Sequence, residues 1–155
     1  MVRRLLTINE LRVTYTEYNQ AYFDGELPPV DRVTIEYSNR LSSSAGLCYP
    51  SKRVIRISSY YAKRYGEEET KSVLLHEMIH LQIRGHGEAF MRKMRDIQAR
   101  GGNVSRYSKG RAKVNWEYVC NDCGKRYERG RRLKYGGRYH NCGICNGKLR
   151  EWRVI

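Results

Sequence analysis

The sequence predicts an α+β protein in which helices lie over a small β-sheet and a small β-rich, metal-held module follows. Three observations carry that prediction. Helix-period apolar segments alternate with short strand-type runs over residues 1–102. One of those helices contains His76-Glu77-Met78-Ile79-His80. Near the end of the chain two C-x2-C pairs, Cys120/Cys123 and Cys142/Cys145, stand eighteen residues apart. The expected organisation is a main domain at 1–102, a basic linker at 103–114 and a four-cysteine module at 115–155.

The first helix opens on Thr7-Ile8-Asn9-Glu10, which has the form of a capping box, and Leu11, Tyr15, Tyr18 and Tyr22 follow on one face. An aromatic stripe at helical spacing is core, so no cofactor role is assigned to it. Gly25 and the Pro28-Pro29 pair end the helix. Residues 32–37 alternate polar and apolar as a half-buried strand does, and residues 46–49 and 53–58 read as a hairpin. Cys48 stands apart from the paired cysteines and is expected to be a small buried core residue. Glu67-Glu68-Glu69 suits the first turn of the helix that carries the histidines, where carboxylates oppose the positive end of the helix dipole. A further helix is expected at 88–100, with Phe90, Met94 and Ile97 on one face and Gly101-Gly102 as its stop. Beyond it, 103–113 holds little apolar material and reads as linker.

The H-E-x-x-H helix is where chemistry concentrates. At 3.6 residues per turn, His76 and His80 project from one face one turn apart, close enough to hold one zinc ion, while Glu77 points about 100° away, placed to reach a water at that metal. Val73, Leu74, Leu75, Met78, Ile79 and Leu81 make this an apolar helix, and a buried helix does not carry unsatisfied polar groups. A tetrahedral zinc needs a third protein ligand, and His86, flanked by Gly85 and Gly87, is the candidate. The four thiolates of Cys120, Cys123, Cys142 and Cys145 have the spacing of a structural zinc site, so two zinc ions are expected, one catalytic and one structural. His140 is surplus to that tetrahedron. A module of this size has too little core to fold unaided, and the metal supplies much of its folding free energy.

Charge divides the chain unevenly. The net charge is +14; residues 1–100 hold sixteen Lys/Arg against twelve Asp/Glu, and the remainder fourteen against four. Concentrated basic charge points to nucleic acid, against the plain alternative of a solvated basic face. Arg129, Arg131, Arg132, Lys134 and Arg138 lie between the two cysteine pairs, where a loop held at both ends by metal would display them to phosphates. Trp116, Tyr118, Tyr127, Tyr135, Tyr139 and Trp152 could stack on unpaired bases, although Tyr118 and Trp152 fit better as the module's small core. The stretch Met1–Leu6 is too short for a secretory signal and no run is long enough to span a membrane, so an intracellular, soluble location is expected. Paired cysteines in a reducing compartment bind metal.

Taken together, Tyr22-Phe23-Asp24-Gly25-Glu26-Leu27-Pro28, Gly46-Leu47-Cys48-Tyr49, Ile55-Arg56-Ile57-Ser58, His76-Glu77-Met78-Ile79-His80, His86-Gly87-Glu88-Ala89-Phe90 and the paired C-x-x-C motifs resemble the SprT family, whose eukaryotic members include Spartan. The resemblance implies a zincin-like metallopeptidase domain followed by a zinc ribbon. It implies His76, His80 and His86 as zinc ligands, Glu77 as catalytic base, and an endopeptidase acting on proteins bound or crosslinked to DNA, with DNA as partner. A metzincin assignment fails, because Ile83 stands where that motif requires glycine. The competing class is a DNA-binding zinc protein whose peptidase-like half is silent, and the intact Glu77 speaks against it. The second donor to a substrate oxyanion stays open among Tyr49, Tyr60 and Tyr61, and Gly46–Tyr49 is the expected strand edge for an extended substrate.

Overall fold

The computed structural model describes residues 3–154, with side chains as far as Trp152, so Met1 and Val2 of the stretch weighed as a leader lie outside it. The chain forms two compact units, Met1–Ala112 and Lys113–Ile155. No helix among the described residues is long and apolar enough to cross a membrane.

In the first unit, helix α1 spans Ile8–Phe23 and begins at Thr7, whose hydroxyl accepts from the Glu10 amide at 3.0 Å. The Glu10 carboxylate also takes the Arg4 guanidinium at 2.9 Å, and Arg4 first, with the Thr7 amide and hydroxyl beside it, holds this carboxyl below the usual carboxylate range. Leu11 and Tyr15 are fully buried and Tyr18 and Tyr22 pack at the core's margin. The Tyr15 hydroxyl donates to the Pro28 carbonyl at 2.7 Å, which gives a buried phenol its partner. Asp24 and Gly25, at φ 54° and 74°, turn the chain left-handed and stop the helix.

A three-stranded sheet follows, built from β1 (Thr34–Ser38), β2 (Gly46–Tyr49) and β3 (Val54–Ser58) in the order β1-β3-β2. The β2/β3 hairpin is antiparallel as the sequence suggests, while β1 pairs parallel with β3. Ile55 and Ile57 on central β3 are fully buried, and β2 is left at an edge.

Three more helices follow, the first two against this sheet and the third against the second. Helix α2 (Ser59–Tyr65), capped by the Ser58 hydroxyl, is an addition to the elements expected from the sequence. Gly66, at φ 90°, breaks the chain sharply into α3 (Glu67–His80), and α4 (Glu88–Ala99) buries Phe90, Met94 and Ile97. Helix α3 runs through the core, burying Val73, Leu74, Leu75, Met78 and Ile79, each worth about 1.5–3 kcal/mol.

The expected linker is different in the structure. Val104 and Ala112 are buried in the first unit's core, Gln98 Nε2 donates to the Val104 carbonyl at 2.8 Å, and Arg64 Nη1 donates to the Arg111 carbonyl at 3.1 Å. Residues 103–112 thus form a strap on the first unit, held mostly through main-chain groups that a hydropathy pattern does not reveal.

The second unit is a three-stranded antiparallel sheet of β4 (Trp116–Cys120), β5 (Arg126–Arg129) and β6 (Leu149–Val154), in the order β5-β4-β6. Its buried side chains are few. Cys120, Cys142 and Leu149 cluster with Tyr127 and Leu133 against them, and Tyr118 is fully buried with its hydroxyl accepting from the Leu133 amide at 2.9 Å.

The cap is directly testable. Thr7→Ala is expected to lower unfolding free energy by about 1 kcal/mol. Glu10→Gln should change it by less, since the amide oxygen can still accept from Thr7 and only an exposed ion pair with Arg4 is lost. Urea titration of both variants checks this; equal losses would show that the Arg4–Glu10 pair counts for as much as the threonine cap.

Candidate metal centre

Helix α3 sets His76 and His80 one turn apart, with their Nε2 atoms 3.2 Å from each other. His86 comes back to them from the turn between α3 and α4, its Nε2 3.0 Å from that of His76 and 3.2 Å from that of His80. Of the flanking glycines only Gly85 uses left-handed backbone, at φ 69°; Gly87 is extended and caps α4.

The three nitrogens fit a zinc ion. Zn–N bonds of 2.0–2.1 Å at tetrahedral angles place ligating nitrogens about 3.3 Å apart. The outer nitrogens fix the tautomers: His76 Nδ1 faces the Ser105 carbonyl at 2.8 Å and His80 Nδ1 faces the Ile83 carbonyl at 3.0 Å. Each of these two rings therefore keeps its proton on Nδ1 and turns an Nε2 lone pair inward. Burial pushes His76 down to about 4, with His80 and His86 adding to the shift, so this imidazole is neutral as a ligand must be. His86 is lowered too, first by burial.

Phe90 supports the cluster from α4. Its ring centroid lies 4.8 Å from His76, 5.0 Å from His80 and 4.8 Å from His86. The sequence places Phe90 in the core but does not show that the three ligands rest on it; its position four residues after His86 is the available signal.

Glu77 is buried, and burial pushes its carboxyl up to about 8. A cation among the imidazoles would draw that value back down. The carboxylate lies against β2: a Cβ at Gly46 would sit 3.1 Å from Glu77 Oε1 and 2.7 Å from Val73 Cγ1. Edge strand, base and ligands are thereby brought together around one cleft of about 540 Å³, lined by Gly46, Cys48, Glu77, the three histidines and the strap residues Ser105–Ser108. Cys48, expected in the core, is half-buried on this cleft, and burial raises its thiol to about 12, which keeps it protonated.

In the second unit Cys120, Cys123, Cys142 and Cys145 converge, all four sulfurs lying within 4.8 Å of one another. The closest approaches, 3.4 Å between Cys120 and Cys145 and 3.6 Å between Cys123 and Cys142, are far beyond disulfide length and near the ~3.8 Å expected of thiolates around zinc. The amides of Asp122 and Ile144 point at the sulfurs of Cys120 and Cys142, each at 3.4 Å. A Tyr127 hydroxyl 3.1 Å from Cys142 leads the hydrogen bonds that bring this thiol down to about 6, favouring the thiolate. His140 is exposed and outside the cluster.

Arg129, Arg131, Arg132, Lys134 and Arg138 are all exposed or nearly so, but they are not equivalent. Arg132 is held by Glu151, Nη2 to Oε1 at 2.6 Å, and lies over Trp116, so its charge is already matched. Lys134 and Arg138 ride on the rings of Tyr135 and Tyr139, which are 67% and 69% exposed and meet edge to face at 5.6 Å. The turn presenting Tyr135 is left-handed at that residue, φ 55°, and through Gly136 and Gly137. Trp152 corrects an expectation: it is 46% exposed, flanked by Arg126 and Arg150, and belongs to the surface.

A helix-borne H-E-x-x-H with a third histidine, above a small sheet, defines a candidate three-histidine metal site with a carboxylate at hand. Residues 11–110 match the family model described as SprT-like family, and the chain belongs to that family. It is 27% identical over 150 residues to the Protein SprT-like of Oceanobacillus iheyensis, covering 93% of this chain and 91% of that one. Proteins of the same name from Streptococcus pyogenes and Staphylococcus aureus are each 28% identical, the former across 74% of this chain and 81% of its own length, the latter across 77% and 82%.

Elemental analysis of protein purified without added metal is expected to find two zinc per chain. Changing Cys120 and Cys123 to serine should remove one and leave the other. A single equivalent in the unaltered protein would contradict the pairing of sites.

Proposed function

We propose that this protein is a zinc-dependent endopeptidase that cleaves proteins bound or crosslinked to DNA. The observation that carries the reading is Glu77, a carboxylate held in the same cleft as three converging imidazole nitrogens. A silent scaffold would need the histidines but not the base. His76, His80 and His86 would hold the zinc, which supplies Lewis acidity to the peptide carbonyl and to water. Glu77 Oε1 takes the proton from the water that attacks the carbonyl carbon, then delivers it to the departing amine. An extended substrate pairs with the free edge of β2, whose Gly46 lets its backbone come against the base.

The ribbon would bring the enzyme to its substrates. Exposed Tyr135, Tyr139 and Trp152, each beside a cation, offer stacking faces for unpaired bases, and Arg131, Lys134 and Arg138 offer charge to phosphates. The four cysteines would hold a structural zinc that keeps this surface in shape.

Two measurements test the reading. Glu77→Gln should retain both zinc ions while turnover of a protein substrate falls by a factor on the order of a hundred or more. Unchanged cleavage would exclude the base. For DNA, Arg131→Ala with Lys134→Ala should weaken binding of a labelled single-stranded oligonucleotide and flatten the salt dependence by roughly 0.7 in log–log slope for each phosphate that is no longer neutralised. Arg132→Ala should do less, its charge being matched by Glu151. Equal affinity for the double variant and the unaltered protein would move the DNA site off the ribbon.

A further inference from the structure

A peptidase of this kind needs a second donor, beside the metal, for the negative charge that develops on the carbonyl oxygen. The structure removes the three tyrosines that sequence leaves open. Tyr49 and Tyr60 do not line the cleft. Tyr61 does, but it is fully buried and its hydroxyl is committed, accepting from the Lys109 amide at 3.0 Å and donating to Glu69 at 3.2 Å.

One other tyrosine lines the cleft, Tyr107 on the strap. It is 74% exposed, and among the described residues its hydroxyl has no hydrogen-bond partner. The strap beneath it is pinned on both sides. Ser105, two residues before, presents its carbonyl to His76 Nδ1 at 2.8 Å, and its hydroxyl donates to the carbonyl of Tyr107 itself at 2.8 Å. Lys109, two residues after, is tied through its amide to Tyr61 and through its ammonium to Glu69 at 3.5 Å. Two residues of extended chain span at most about 7 Å, so Tyr107 cannot stray far from the ring that faces the metal position. Arg106 lies over the Tyr107 ring at 5.1 Å and also lines the cleft, adding positive potential where negative charge forms.

We propose that Tyr107 is a catalytic residue of the peptidase reaction, donating its hydroxyl hydrogen bond to the substrate oxyanion. This rests on the endopeptidase reading above. As the water oxygen bonds to the carbonyl carbon, the carbonyl π pair moves onto the substrate oxygen, and Tyr107 donates to that oxygen while keeping its proton. When the carbon–nitrogen bond breaks, the pair returns to re-form the carbonyl. The proton held by Glu77 leaves with the amine nitrogen.

The test uses full-length protein with labelled casein as substrate, single-stranded DNA present. Tyr107→Phe keeps the ring and removes the donor. It is expected to lower kcat by about a hundredfold, to leave KM within about twofold, and to retain both zinc ions. A phosphinic peptide, which imitates the tetrahedral oxyanion, should bind Tyr107→Phe more weakly by calorimetry, while the product peptide binds both proteins equally. A kcat within about twofold of the unaltered protein, loss of zinc, equal weakening of both ligands, or a large loss in Arg106→Gln with none in Tyr107→Phe would each overturn the assignment. If the unaltered protein shows no Glu77-dependent cleavage, the endopeptidase reading falls and takes this role with it. Glu77-dependent cleavage that is indifferent to Tyr107→Phe overturns the tyrosine alone.

Discussion

Three imidazole nitrogens pointing at one another constrain everything packed around them in the first unit. With the Nδ1 protons of His76 and His80 committed to the Ser105 and Ile83 carbonyls, the inward Nε2 atoms present lone pairs that repel without a cation between them. Holding them at 3.0–3.2 Å takes rigid supports: the buried face of α3, the Phe90 ring under all three, and the left-handed turn at Gly85. The sheet then brings its edge strand to the same place, and the absence of a side chain at Gly46 is what lets the Glu77 carboxylate lie against it.

The second unit solves a different problem. Its buried set is too small to hold a fold by apolar area alone, and four converging sulfurs are placed so that a shared metal ion would take over that role. Because the interior is so thin, large aromatic side chains that a bigger domain would bury stay outside, each with an Arg or Lys against its face. Under the proposed function, such a surface would offer a polyanion with flat bases both charge and stacking faces.

Much of this is legible in the sequence, for reasons that differ by residue. The candidate ligand sets, which the fold brings together, are readable because metal chemistry demands fixed residue types at fixed spacing, as in His76/His80 and the two C-x2-C pairs. Helices α1 and α4 are readable from apolar period, and α3 from the apolar run that surrounds its H-E-x-x-H. The strap is not, because its attachments are the carbonyls of Val104, Ser105 and Arg111 and the amide of Lys109, groups that every residue offers whatever its side chain. Tyr107 therefore reads as part of a linker until the fold is known. The parallel pairing of β1 with β3 is likewise a tertiary choice, and Trp152 reads as core because aromatic type alone does not tell an interior from a cation-flanked surface.

Zinc K-edge X-ray absorption on the Cys120→Ser, Cys123→Ser protein, which leaves the three histidines as the intact ligand set, probes the proposed metal site of the first unit. One zinc per chain should remain, with a first shell of nitrogen and oxygen only at about 2.0–2.1 Å and the outer-shell scattering of imidazole rings. A sulfur shell near about 2.3 Å, or no zinc at all, would contradict the account.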